Sequence, residues 1–201
     1  MTFIVSEDAD LEIPPFPVRR WSVGEYQLFS RLGILDEDDQ LELLDGWIAH
    51  KMTKNPRHDG TVDEINRLLS GLIPAGWYVR TQNVLLTPDS APEPDLAVVR
   101  GVPKNYLRRH PTGADVALVI EVADSSVERD RLKAAIYARA GVPTYWLVNL
   151  VEDQIEVYRE INGAGREAGY GCESVFADSS PIPLCVVGAE RIEIPAANLL
   201  P

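Results

Sequence analysis

Cysteine, methionine and histidine are scarce: two, two and three of them in 201 residues. Cys172 and Cys185 match no metal-ligand or redox spacing and read as reduced, inert thiols, which suits the cytoplasm. A chain of this length buries enough apolar surface to fold without disulfides or a structural metal. Long hydrophobic runs are also missing. The longest strongly apolar stretch, Val116 to Ile120, falls far short of the roughly 20 residues that span a bilayer as a helix. Met1 to Glu12 is acidic and has no basic segment ahead of an apolar core, so no signal peptide is expected there. Cations are outnumbered, with 19 Lys and Arg against 31 Asp and Glu and a net charge of −12. That balance argues against tight non-specific binding of nucleic acid, which depends on phosphate neutralisation by Lys and Arg. It leaves room for phosphate chemistry at one place, because a local basic face can sit on an acidic body and metal ions bring positive charge to a phosphate.

What is present is ordinary for a globular protein: 45% hydrophobic and 25% charged residues. The expectation is one α/β domain over residues 21–201, with a core at 40–160, preceded by an extended arm at 1–20 that contains Pro14, Pro15 and Pro17. Ser22-Val23-Gly24-Glu25 is a capping box and predicts a helix from Val23 to Leu32. The Asp36–Asp39 run predicts a solvated loop. Gln40 to Met52 reads as a hairpin turning at Asp45-Gly46. Pro56 opens a second helix, with Val62, Ile65, Leu68, Leu69 and Leu72 at helical spacing. Gly71, Pro74 and Gly76 close it. Trp77 to Leu86 alternates as a strand, and Pro88 to Pro92 is a turn-rich break.

Asp95 to Val99 predicts a short strand, and Asp115 to Val122 a strand buried on both faces. Ser125-Ser126-Val127-Glu128 is a second capping box, opening a helix to about Ala140, with Gly141 as the C′ residue. Thr144 to Leu150 and Gln154 to Glu160 are further strands. Strand, helix, strand with short links is a βαβ unit, so 116–122 and 145–149 should be parallel neighbours. Beyond Gly163 only weak strands are expected, near Glu173–Phe176, Pro183–Val187 and Ile192–Ile194.

Two carboxylates stand out. Asp95 opens its strand and Glu121 ends its own. If those strands pair antiparallel, both acids converge on one sheet edge. Two carboxylates about 4 Å apart repel by roughly 4 kcal/mol at an effective dielectric near 20. Glu121 follows five apolar residues, and an unpaired carboxylate so placed has its pKa raised. A divalent cation turns the repulsion into attraction, and Mg²⁺ takes one or two carboxylates while keeping several waters. The bland alternative is an acid at a strand end in solvent or paired with Arg.

The ordered phrases around these acids resemble a known family. Glu93-Pro94-Asp95 followed by Ile120-Glu121-Val122-Ala123 resembles the PD-(D/E)XK motif of restriction-endonuclease-like nucleases. Glu42-Leu43-Leu44-Asp45-Gly46, Pro94 to Val99, Glu121 to Ser126, and Lys133 through Tyr137 to Ala140-Gly141-Val142-Pro143-Thr144-Tyr145-Trp146-Leu147-Val148 together resemble the Uma family of restriction endonucleases, a domain family of unknown function. The resemblance covers about residues 20–160. It implies a mixed central β-sheet flanked by helices, with Mg²⁺ or Mn²⁺ at the sheet edge. Asp95, Glu121 and the backbone carbonyl of Val122 are then metal ligands, and Glu42 reaches the metal directly or through water. The motif's lysine position is occupied by Ala123, and the resemblance points to Lys133 on the next helix instead. Asp130, Lys133 and Tyr137 form one stripe of that helix, beside an apolar face of Leu132, Ala135, Ile136 and Ala140. A solvated lysine paired with Asp130 is the bland alternative for Lys133.

The implied activity is hydrolysis of phosphodiester bonds, with DNA as the nucleic-acid partner and a homodimer as the assembly. His58 and Gln82 are candidate substrate contacts. Arg100 and Lys104, in the basic stretch that continues through Arg108, Arg109 and His110, form a candidate phosphate-facing patch. Two other readings compete: a nuclease-fold binding module without turnover, suggested by Ala123 and the acidic charge, and a metal-independent glycosidase-like acid/base pair.

Overall fold

The structure, a computed structural model, describes residues 17–186, 188 and 192–201. Most of the expected arm therefore lies outside the described residues, and 17–20 carry no regular structure. Helix α1 (Val23–Arg31) starts on the predicted capping box: the Ser22 side chain accepts from the Glu25 N–H, and Glu25 accepts from the Ser22 N–H. A single 3₁₀ turn, Glu37–Asp39, interrupts the acidic loop. Strands β1 (Leu41–Leu44) and β2 (Trp47–His50) form the hairpin, with Asp45 and Gly46 at φ of +51° and +79°. Those left-handed angles match the right-handed twist of the flanking strands, which is why Asp-Gly is favoured there.

Helix α2 (Pro56–Leu72) follows, capped by the Asn55 side chain, which accepts from the His58 N–H. The main sheet has six strands in the order β3 (Trp77–Thr81), β4 (Leu96–Arg100), β5 (Val116–Ala123), β6 (Thr144–Asn149), β7 (Gln154–Asn162), β8 (Gly169–Phe176). Only β5 and β6 run parallel, joined by helix α3 (Val127–Arg139) as the βαβ pattern predicts. All other neighbours are antiparallel.

Alternation splits the sheet's two faces. Leu96, Val98, Leu118, Ile120, Val122, Trp146 and Val148 pack beneath Val62, Ile65 and Leu69 of α2. The same layer takes in Ile182 and Leu184 of β9 (Pro181–Leu184) and Ile194 of β10 (Ile192–Pro195). Ala97, Val99, Val119, Tyr145 and Leu147 face Tyr137 of α3. By the same period of two, Asp95, Glu121 and Glu156 lie on the α3 side.

The structure corrects four expectations. The strand from Trp77 ends at Thr81, because Gln82 turns to φ +48° and its N–H donates to the carbonyls of Pro94 and Asp95. The second capping box does not form: α3 starts at Val127 and the Ser126 hydroxyl bonds Asp130 instead. Leu132 is not on an apolar face; it is 76% exposed, while Ile136 is buried. Among the weak tail strands, β8 pairs with β7 over nearly its whole length, and β9 and β10 are core elements; Val187, at the end of one predicted strand, lies outside the described residues.

Candidate active site

The antiparallel register of β4 and β5, with Leu96 opposite Ile120, puts the next pair outward, Asp95 and Glu121, side by side at the sheet edge. The Asp95 N–H donates to Glu121 Oε2 at 3.3 Å, and the Val122 N–H donates to Asp95 Oδ2 at 2.9 Å. The N–H and C=O of one strand residue point the same way, so the Val122 carbonyl faces the same gap.

Three further elements close on this edge. From α3, Lys133 Nζ lies 3.1 Å from Glu121 and 3.2 Å from Asp130, and 3.6 Å from Glu42. One turn along, the Tyr137 hydroxyl donates to Glu121 Oε1 at 2.6 Å. From the hairpin, Glu42 accepts from Arg129 at 2.8 Å; the bridge between Leu43 and Ala91 holds the hairpin there. From the first turn of α2, His58 Nε2 is 3.2 Å from Asp95 Oδ2. Glu42, Asp95, Glu121, Asp130 and Lys133 are all buried, and they line one cleft with about 70 Å³ of space for water-sized occupants. Several waters fit a space of that size.

The electrostatics follow from burial. Four carboxylates face two permanent cations, Lys133 and Arg129, so ionisation of all four leaves a surplus of negative charge. Burial pushes the Glu121 pKa up to about 8, against the pull of Lys133, and Asp95 adds to the rise. Burial likewise raises Asp130, again opposed by Lys133. For Lys133, burial disfavours the ammonium, but Glu121, Glu42 and Asp130 outweigh it and hold its pKa above the ordinary lysine value. Asp95 goes the other way. Burial raises it, yet the His58 hydrogen bond and charge and the Val122 amide prevail, so its pKa is lowered.

The donor set suits a small hard cation. Among the described residues no three His, Cys, Asp or Glu side chains converge as a ready metal cage. What is present is two carboxylates, a backbone carbonyl on the same side, and room for waters, which is the mixture Mg²⁺ accepts. The Val122 N–H and His58 Nε2 both engage Oδ2 of Asp95 rather than Oδ1.

Of the residues singled out from sequence, Asp95, Glu121, Val122, Glu42, Lys133 and His58 come together here. Lys133 is not the solvated lysine of the bland reading. Gln82 is exposed on the rim of the neighbouring groove rather than in the cleft. Arg100 sits at the opposite end of β4 from Asp95, over the Trp77 ring at 5.2 Å, and Lys104 is exposed beyond it. Neither reaches the cleft, because the five-residue length of β4 carries Arg100 away from the Asp95 end. Sequence reasoning missed Arg129 and the pairing of His58 with Asp95. Arg129 stands four residues before Lys133, so helical spacing could have found it. The pairing of His58 has no local signal.

A mixed sheet flanked by helices, with buried carboxylates converging where an antiparallel pair ends, defines a restriction-endonuclease-like α/β protein. The chain belongs to the Uma2 family, described as "Putative restriction endonuclease", whose model matches residues 25–190. In fold it is similar to the crystal structure of a "putative nuclease belonging to DUF820" from Anabaena variabilis. That likeness has a TM-score of 0.65 at 16% sequence identity and covers 86% of this chain and 96% of the other. No curated protein matches the chain.

Proposed function

We propose that the chain is a divalent-metal-dependent endonuclease that hydrolyses phosphodiester bonds, with DNA as the substrate. The observation that carries this reading is the buried surplus of carboxylates around Lys133 at the sheet edge. A site that left this charge uncompensated would be costly to fold, and a divalent cation offsets it. Asp95, Glu121 and the Val122 carbonyl would hold Mg²⁺ or Mn²⁺, and Glu42 would reach it through water. The bound ion supplies a lowered water pKa and a countercharge for the phosphate.

The chain's own groups do the rest. Tyr137 fixes the Glu121 carboxylate by donating to it, and His58 fixes Asp95 from the other layer. Lys133, held between Glu42 and Asp130, stays charged, orients the attacking water and offsets charge that develops on the phosphate. Its position on α3 supports the view that it stands in for the motif lysine absent at Ala123.

Calorimetric titration of Mn²⁺ or Mg²⁺ into wild type and Asp95→Ala, with parallel cleavage of plasmid, single-stranded and branched DNA, tests the proposal. The expected result is saturable binding in wild type and its loss in Asp95→Ala; unchanged affinity would sink the site. Lys133→Ala should retain metal affinity and lose cleavage. A second reading, a binding module without turnover, is favoured by Ala123, which is fully buried on β5 and leaves no lysine within the motif. Metal binding with no cleavage of any of the three DNA forms would select it.

A further inference from the structure

The acidic cleft opens into a groove of about 570 Å³, the two sharing Lys51, Lys54 and Glu93 as lining. That groove continues into a second of about 590 Å³, with Tyr26, Ser30, Val84 and His110 common to both. One wall is α1 and the other is the segment 106–110; Val84, Leu86 and Ala91 line the space between. The backbone beneath is tied at both ends. Gln82 donates to the carbonyls of Pro94 and Asp95, and Leu86 donates to that of Pro111.

Charge along this path runs against that of the whole chain. Lys51, Lys54, Arg31, Arg108 and Arg109 line the two grooves against Asp36 and Glu93. Glu93 is taken by Lys51 and Arg109 by Asp115. Lys54, Arg31 and Arg108 are exposed and form no ion pair among the described residues. In a chain of net charge −12, such a surplus of cations leading to the acidic cleft needs a reason. We propose that these grooves carry an unpaired nucleic-acid strand into the cleft, so that the substrate at the cut site is single-stranded.

Two further observations favour a single strand over a duplex. Asp95 and Glu121 are only 6% and 3% exposed, at the bottom of a cleft rather than on a surface that could lie against a duplex. The path also offers ring and apolar surface, from Tyr26, Val84, Leu86 and the exposed Leu107. Bases can use such surface only when unpaired, and a basic groove with aromatic platforms is how single strands are held, at about four or more nucleotides per site.

This inference rests on the nuclease reading for its placement, but its test does not. Fluorescence anisotropy with labelled oligothymidylate, and with a duplex of equal length, is measured in EDTA so that nothing is cleaved. Wild type should prefer the single strand. Arg31→Ala/Arg108→Ala should bind it roughly tenfold more weakly, with the salt slope reduced by about 1.4, two phosphate contacts at roughly 0.7 each. Arg67→Ala, on the exposed face of α2, should bind as wild type does. Unchanged binding in the double variant, an equal loss in Arg67→Ala, or a duplex bound as tightly as the single strand overturns the proposal. Arginine-dependent binding without cleavage in Mg²⁺ or Mn²⁺ supports the strand path and counts against the nuclease reading. Cleavage indifferent to both arginines does the reverse.

Discussion

At the scale of single residues, the chemistry turns on which oxygen each proton and cation holds. Glu121 accepts from Lys133, Tyr137 and the Asp95 amide at once, yet burial still lifts its pKa to about 8 from an ordinary 4.5. The folded protein thus binds more protons than the unfolded chain between those two values. Stability is therefore highest below about pH 4.5 for this group and falls as pH rises to about 8, with a slope approaching 1.4 kcal/mol per unit for one proton. In EDTA, urea melts across that window should show this decline for wild type and a flatter profile for Glu121→Gln. A parallel profile in the variant would show that Glu121 is not the group responsible. The acid pair and the stripe of Asp130, Lys133 and Tyr137 could be picked out in the sequence because strand ends and helical spacing are local facts. The link from His58 to Asp95 could not, since 37 residues separate them and only the docking of α2 brings them together.

At the scale of elements, α3 does two jobs with adjacent faces. One carries Asp130, Lys133 and Tyr137 to the carboxylates; the other is split, with Ile136 buried and Leu132 in solvent. Ile136→Ala should cost about 2–4 kcal/mol in urea melts, whereas Leu132→Ala should stay within roughly 0.5 kcal/mol. Equal losses at the two positions would mean that α3 docks in a different rotation. The helix ends on Gly141 at φ +80°, and that end is tightly packed. A Cβ on Gly113 would lie 1.9 Å from the Ala140 carbonyl oxygen, so the turn before β5 passes directly against the end of α3. Gly113→Ala should cost about 1–3 kcal/mol through overpacking, read by the same melts. Element positions were largely legible from periodicity and turn residues. The early end of β3 was not, because the backbone turns at Gln82 to bond Pro94 and Asp95, a contact the alternation of Trp77 to Leu86 does not encode.

For the whole molecule, the sheet edge is where four separate pieces of chain meet: the hairpin, the first turn of α2, the β4–β5 pair and α3. A cation bound there stabilises the assembled fold by mass action, about 2.7 kcal/mol at a hundred times its Kd. In a chain of this size that raises the melting temperature by about 5–10 °C. Thermal melts with and without Mn²⁺ should show that rise in wild type and none in Asp95→Ala; the same rise in both would place the cation elsewhere. Among the described residues no helix is long and apolar enough to cross a membrane. The sequence alone settled the α/β class, the parallel β5–β6 unit and the two strand-end acids, because patterning of period two and 3.6 and short connections are properties of neighbouring residues. Tertiary structure alone decided that Lys133 is buried among three carboxylates, that Arg100 and Lys104 lie away from the cleft, and that the basic path reaches it from Arg31 and Arg108. Those outcomes depend on how separate elements dock, and docking buries charges whose partners lie far away along the chain.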